Sequence, residues 1–385
     1  MPFSLPLAML IVFGSAKLIS ELLERIGLPG IAGEILAGIL IGPSVLNWVA
    51  PNDTMRALSD LGVLFLLFSI GLDVKLADLL RVGPLATLVA TLGEVLPFLA
   101  GWGILLAWGG TGRAALFMGA ALVATSVGIS ASVLKRRDLL HHRASQIILA
   151  AAVIDDVLGL IVLAVVSSLA RGRFNLTEIV VTTGLATAFV LVTAIWGTRV
   201  VSRIFPHFHS RIRADEAQFD AAMVLLFSLA VLAFYAGVAA IVGAFLAGLA
   251  LADSADSRLR NLTRGVTELL VPFFLVGIGL NFDLGILRSR STVLLALIIL
   301  LAAVAAKMIG CGLATLGSGW PTALRVGVGM IPRGEVAMVA AELGLSTLIL
   351  SATVYSVIVF VVVASALVTP PLLKIAFSGT RRPAS

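Results

Sequence analysis

Apolar blocks, each about as long as a lipid bilayer is thick, follow one another along the chain with only short polar connections between them. A membrane-spanning α-helix needs about 20 predominantly apolar residues. Thirteen stretches meet that requirement: 5–26, 29–48, 57–73, 85–108, 113–134, 144–169, 176–204, 217–235, 238–252, 265–281, 292–316, 321–344 and 353–377. The strict alternation of a spanning β-barrel is absent. The pattern therefore predicts an all-α polytopic membrane protein with about 13 transmembrane helices. The first block carries Lys17 and Glu21 and has no basic stretch ahead of it, so it reads as a spanning helix rather than a signal peptide. Short connections predict a single membrane domain over 1–385, and no nucleotide-binding module is expected after the last helix.

Composition agrees with the pattern. Hydrophobic residues make up 59% of the chain and charged residues 12%, about half the charged fraction of a soluble domain. A single cysteine, Cys311, excludes an intrachain disulfide and any cysteine-based metal cluster. Of the 27 lysines and arginines, eighteen fall on one side of the expected membrane, six on the other and three within spans. The positive-inside rule then predicts an outside N-terminus and a cytoplasmic C-terminus. It also accounts for the net charge of +6 through topology and lipid headgroups, with no nucleic-acid partner.

Two regions echo each other. Gly33 to Gly38 in helix 2 resembles Gly243 to Gly248 in helix 9, an offset of 210, and Phe65 to Asp73 in helix 3 resembles Phe273 to Asn281 in helix 10, an offset of 208. The copies lie seven positions apart in the order of helices, an odd number, so they cross in opposite senses. That is the inverted-topology repeat of many secondary transporters, whose sites lie near the bilayer midplane beside broken helices. Helix 5 carries a polar interruption at Thr125, Ser126 and Gly128. The same offset falls on Pro332-Arg333-Gly334-Glu335 in helix 12, where proline removes a backbone donor and should break the helix. Two crossing breaks would leave free N–H and C=O groups at mid-membrane, with half-charges of both signs. Asp155 or Asp156 can answer the positive ends, and Lys307 or Arg333 the negative ends; the Thr125 hydroxyl and backbone carbonyls can complete an oxygen shell for a small cation. A structural ion pair between Arg333 and Glu335 is the competing reading of those two charges.

Adjacent carboxylates in a spanning helix each cost about 2.5 to 3.5 kcal/mol on insertion scales, so Asp155 and Asp156 need a use. They point about 100° apart on one helix, so they cannot both face one partner. A carboxylate balanced between desolvation and a neighbouring ammonium can hold either a proton or a cation. An intramembrane aspartyl protease would need its two carboxylates on separate helices. No Gly-x-Ser-x-Gly elbow or clustered histidine supports a hydrolase.

Taken in order and at this spacing, Ala124-Thr-Ser-Val-Gly-Ile129, Ile154-Asp-Asp-Val-Leu-Gly-Leu160, Lys307 and Pro332-Arg-Gly-Glu335 resemble the bacterial NapA-type sodium/proton antiporters of the monovalent cation:proton antiporter superfamily. The resemblance covers about residues 10 to 375. It implies that Asp156 binds sodium in exchange for protons, that Asp155 pairs with Lys307 when the ion is absent, and that Thr125 lines the site. Ser126, Pro332, Arg333 and Glu335 would support the break. It also implies an NhaA/NapA-like fold in a homodimer of thirteen-helix protomers in a bacterial cytoplasmic membrane. A core of about 57–169 and 265–377 would move against a scaffold of about 5–48 and 176–252. Exchange would be electrogenic and elevator-like, with no cofactor beyond the transported ions. A K⁺/H⁺ antiporter of the Kef kind, a sodium-coupled symporter and an ion channel are the alternatives.

Other charges within or near spans read less specifically. Glu34 and Glu94 are candidates for an ion funnel. Lys17 and Glu21, four apart, are expected to pair locally, and Asp73 to be solvated. His141, His142, His207 and His209 all fall on the cytoplasmic side, where they read as solvated loop residues or as a pH sensor.

Overall fold

The computed structural model describes residues 5–26, 28–170, 176–193 and 217–378, and every regular element among them is helical. The helices in chain order are α1 (Leu5–Arg25), α2 (Gly30–Ile41), α3 (Asp53–Asp73), α4 (Leu76–Ala107), α5 (Gly112–Ala121), α6 (Val127–Arg136), α7 (Arg143–Ala170), α8 (Leu176–Val192), α9 (Ala217–Tyr235), α10 (Ala240–Leu251), α11 (Ser257–Leu280), α12 (Arg290–Thr315), α13 (Trp320–Gly329), α14 (Glu335–Ser346) and α15 (Ala352–Ala376). Eight of them are long and apolar enough to cross a membrane. The protein is an all-helical, multi-pass membrane protein.

Side-chain caps fix several starts by satisfying backbone donors that have no intrahelical partner. Asn52 accepts from Met55 N, Asp256 from Leu259 N, Ser289 from Thr292 N and Ser351 from Val354 N. Hydropathy misplaces three ends. α2 stops at Ile41 rather than 48, where Gly42 turns its N–H back to Gly38 O ahead of Pro43. α4 starts at Leu76, nine residues before the expected 85, and runs on through Pro84 and Pro97. α11 starts at Ser257 rather than 265, because its first turns carry Arg258, Arg260 and Arg264, which lower the hydropathy of the window. The expected helix 7 lies beyond the described residues after 193.

The helices pack most extensively within two groups, joined by a shared core that includes Ile35, Val63, Ile147 and Val363. In one, α3 lies along α10 and α11, α2 along α1 and α11, and α9 against α10. Phe65, Phe68 and Leu72 of α3 bury against Leu226 of α9 and Leu251 of α10, while Val12, Ile41 and Phe273 tie α1, α2 and α11. In the other, α4, α5, α7, α12, α14 and α15 share a core that includes Leu105, Phe117, Leu122, Ile299, Ala340 and Ile358.

The first group contains two close crossings. A Cβ on Gly38 would stand 2.1 Å from Val276 O and one on Gly279 2.1 Å from Ile35 O, so α2 and α11 meet glycine on glycine. Gly71 and Gly248 meet in the same way where α3 crosses α10, with prospective Cβ contacts of 2.3 Å to Phe245 O and 2.1 Å to Phe68 O. Small residues at such crossings let helix backbones approach in a medium where burial of apolar side chains drives no association.

Candidate functional site

Two of the expected spans are interrupted at mid-length. Residues 122–126 separate α5 from α6, and 330–334 separate α13 from α14. The second interruption contains Pro332, as its missing N–H requires. The breaks bond to each other: Ser126 N donates to Pro332 O at 2.7 Å, Thr125 Oγ1 to Met330 O at 3.3 Å, and Ser130 Oγ to Gly329 O at 2.5 Å. The first break and the start of α6 thereby supply donors to the carbonyls of the second break and the end of α13. The N-termini of α6 and α14, preceded by Ser126 and Gly334, have no side-chain cap. Their unspent N–H groups give the crossing positive ends.

α7 passes this crossing and brings Asp155 and Asp156 to it. Asp155 is fully buried and accepts from Thr125 N at 2.6 Å through Oδ2. Lys307, on α12 and also fully buried, places Nζ 3.1 Å from Asp155 Oδ1 and 3.3 Å from Oδ2. Lys307 is therefore the cation that meets the aspartate pair. Asp156, 3% exposed, faces away on the same helix and borders a small void lined by Leu67 of α3, Val127 of α6 and Ile241, Val242 and Phe245 of α10. The two aspartates have separate surroundings, as adjacency on a helix demands.

Arg333 is fully buried in the second break. Its backbone N donates to Ser365 Oγ at 3.1 Å and its Nη2 to Ala303 O at 3.3 Å. The Glu335 side chain lies outside the described residues, and with it the Arg333–Glu335 pairing. Glu94 of α4 is also buried, its Oε1 without a hydrogen-bond partner and 3.8 Å from a prospective Cβ on Gly159, one turn along α7 from Asp155. Burial makes Glu94 a neighbour of the aspartates rather than the wall of an open funnel.

A cavity of about 830 Å³ opens between the two helix groups and reaches Ser126 and Gly334 at the breaks. Arg56 and Asp60 of α3 and Glu342 of α14 line it, at the ends of those helices that the positive-inside count assigns to the outside. Hydropathy gives no signal for these three.

The opposite ends are closed by ion pairs. Lys135 of α6 lies 3.1 Å from Asp73 of α3 and also donates to Ser69 Oγ. Arg136 Nη2 lies 2.7 Å from Glu34 Oε1, a fully buried carboxylate of α2. Arg260 donates to Asp73 Oδ1 at 3.0 Å. Asp73 is thus paired rather than solvated. The expected Lys17–Glu21 pair is replaced: Lys17 approaches Glu34 at 3.9 Å, and Glu21 takes Arg25 at 2.9 Å. Both choices are four apart on α1, and the neighbouring α2 decides between them.

Of the histidines, His141 is exposed and His142 is half-buried; His207 and His209 lie outside the described residues. His142 Nδ1 accepts from Ala144 N at 3.1 Å, and Nε2 lies 3.4 Å from Arg325 Nη1. Burial first, then the Arg325 charge, holds this imidazole below its ordinary value.

Such an arrangement joins a neutralised carboxylate, a second carboxylate beside a void, and a water-accessible cavity that ends at the same helix breaks. It suits reversible binding of a proton or a small cation. Comparison with known proteins agrees. The chain is 32% identical to the high-affinity Na⁺/H⁺ antiporter NhaS3 of Synechocystis, over 98% of this chain and 90% of that protein. It is 33% identical to the Na⁺/H⁺-K⁺ antiporter GerN of Bacillus cereus, over 95% and 94%. A structure of the sodium proton antiporter MjNhaP1 from Methanocaldococcus jannaschii superposes with a TM-score of 0.74 over 98% of this chain and 97% of that one. At 19% identity that likeness speaks to the fold alone. Residues 9–378 match the family described as sodium/hydrogen exchanger, transmembrane. The chain belongs to that family, whose members exchange Na⁺ for H⁺ across a membrane.

Proposed function

We propose that Asp156 is the residue that alternately carries the sodium ion and protons, with Asp155 and Lys307 as its switch. The observation that carries this reading is the fully buried Lys307–Asp155 pair, held against Thr125 N inside the crossing of two unwound segments. Asp155 is engaged by a cation and a backbone donor, and Asp156, beside the small void at the crossing, is the carboxylate assigned to the cargo. Thr125, Ser126 and the carbonyls of the breaks supply neutral oxygens around it. Sodium drawing on Asp155 as well would break its pair with Lys307, and the lysine would then release its proton. Two protons then leave for one sodium, and each cycle moves one net charge, worth about 2.3 kcal/mol per 100 mV.

The pathway is of the elevator kind. The breaks, the aspartates and Lys307 lie in the α4–α7 and α12–α15 group, which moves against the panel of α1–α3 and α9–α11. This division assigns α3 and α11 to the scaffold, one helix inward from the sequence-based boundary on each side, because α3 packs along α10, α11 along α2, and the two along each other. The open cavity on one side and the ion pairs from α6 to α2 and α3 on the other support an outward-facing arrangement. An inverted repeat is supported by the glycine crossings, since the Gly38/Gly279 contact recurs at Gly248/Gly71 under the sequence offsets of 210 and 208. Gly33 against α1 likewise recurs as Gly243 against α9. The thirteen-span count, a cytoplasmic C-terminus, a bacterial cytoplasmic membrane and a homodimer belong to the same reading.

Proteoliposomes with an internal pH reporter test it. Sodium-driven proton movement should respond to an imposed membrane potential and be lost in Asp156→Asn. An unchanged rate in that variant would sink the assignment. GerN is named for K⁺ as well as Na⁺, and oxygen donors of this type serve either ion, so the same assay is run with Li⁺ and K⁺.

A further inference from the structure

The side closed by ion pairs contains a recess of about 330 Å³ that the exchange site does not use. Its walls come from both helix groups: the end of α3 (Asp73, Lys75), the end of α6 and the turn after it (Lys135, Asp138, His141), and the start of α11 (Arg260, Arg264). Four cations and two carboxylates line it, a net charge of +2 with His141 neutral. Lys135 and Arg260 share the single carboxylate of Asp73, at 3.1 and 3.0 Å. Arg260 is further fixed by donating to Leu72 O at 2.6 Å and Ala252 O at 2.8 Å, the carbonyl ends of α3 and α10. These two half-buried cations form the floor. Lys75 and Arg264 stand exposed at the rim, and among the described residues neither has a carboxylate within ion-pair distance.

We propose that this recess is a binding site for a phosphate-bearing anion, which bridges the two helix groups from the face assigned to the cytoplasm. A phosphate monoester carries about −1.5 to −2 charge with three acceptor oxygens, which matches the +2 of the walls. A monovalent anion such as chloride leaves half of that charge unanswered. Arg264 offers the planar fork that suits a phosphate, and Lys75 a point charge opposite it. The binding claim stands apart from the exchange site; the effect on transport, slower exchange when the groups are bridged, rests on the two-group reading above.

The same chemistry reaches the recess either as soluble phosphate or as an anionic lipid headgroup, and two probes separate them. Thermal unfolding of the full chain is followed in a zwitterionic lipid with inorganic phosphate, against chloride at equal ionic strength, and then in the same lipid mixed with phosphatidic acid, whose headgroup is a phosphate monoester, without phosphate. A rise of several degrees with phosphate identifies the soluble ligand, and a rise only with phosphatidic acid the headgroup. In either case Lys75→Ala/Arg264→Ala should lose most of the rise while keeping the same unfolding midpoint in zwitterionic lipid and chloride. No rise with either probe, or an equal rise in the double variant, would overturn the proposal. Unfolding does not read transport, so failure of the Asp156 assignment leaves this test intact.

Discussion

Replacing Lys307 by glutamine removes the one ion-pair partner of Asp155 among the described residues while keeping most of the side-chain volume. Both groups are fully buried, with Nζ 3.1 Å from Oδ1. Removing one member of a buried pair typically costs about 3–5 kcal/mol, because the other charge stays behind. The loss in Lys307→Gln should therefore be about 3–5 kcal/mol. Adding Asp155→Asn to it should recover much of that loss, since no charge is then stranded. Unfolding midpoints of wild type, both single variants and the double variant, measured without sodium, read this directly. A Lys307→Gln variant within about 1 kcal/mol of wild type would refute the argument, as would a double variant no better than the single.

Two other expectations bear on the helix packing and the cytoplasmic loops. Gly248→Ala sets a Cβ 2.1 Å from Phe68 O, and Gly38→Ala one 2.1 Å from Val276 O; both obstacles are backbone, so the helices must part. Each substitution should cost about 1–3 kcal/mol in unfolding experiments, and to a similar degree if the two crossings are repeat-related. Gly103→Ala on α4, with nothing within 4 Å of its Cβ, should instead be neutral or stabilising. The folded value of His142 is lowered, so the unfolded chain takes up a proton that the folded chain refuses. Stability is then lost as pH falls through the ordinary value of about 6.5 towards the folded value, and none is lost above it. His142→Gln should flatten the fall of the unfolding midpoint between about pH 7.5 and 5.5; an equal fall in both proteins would count against this.

The crossing of the two breaks and the aspartate pair beside it were largely legible in the sequence because their signals are local or arithmetical. Asp155 and Asp156 stand out against an apolar run, Pro332 cannot sit in an unbroken helix, and one offset brings it level with Thr125. Lys307 stood out as a cation near mid-span, although choosing it over Arg333 as the partner of Asp155 took the family resemblance or the coordinates. The ion pairs were not legible. Arg136 reaches a carboxylate 102 positions away, and Lys135 a hydroxyl 66 away. Hydropathy treats Glu34 and Asp73 as costs without naming who offsets them. Lys17 shows the same limit on a smaller scale: local spacing offered Glu21, and only the packing of α1 on α2 turned it towards Glu34. The start of α11 was hidden because Arg258, Arg260 and Arg264 depress its hydropathy, and one of them, Arg260, is the residue that pairs with Asp73 on that side.

The strength of that closure bears on whether exchange can be reversible. An exposed ion pair contributes about 0–1 kcal/mol, and Lys135–Asp73 is only half-buried. The Arg136–Glu34 bond involves a fully buried carboxylate, and bonds to charged groups contribute about 1.5–3 kcal/mol. Under the proposed two-group mechanism, the two together bias the proposed outward-facing arrangement by a few kcal/mol. Moving a two-state equilibrium from about 1:99 to 99:1 takes about 5.5 kcal/mol of differential binding. A bias of a few kcal/mol therefore lies within what ion binding at the proposed carrier, Asp156, can reverse, whereas several deeply buried pairs would exceed it. The closure acts as a tilt rather than a lock. That suits an exchanger, which must return through the same barrier with a different cargo on every cycle.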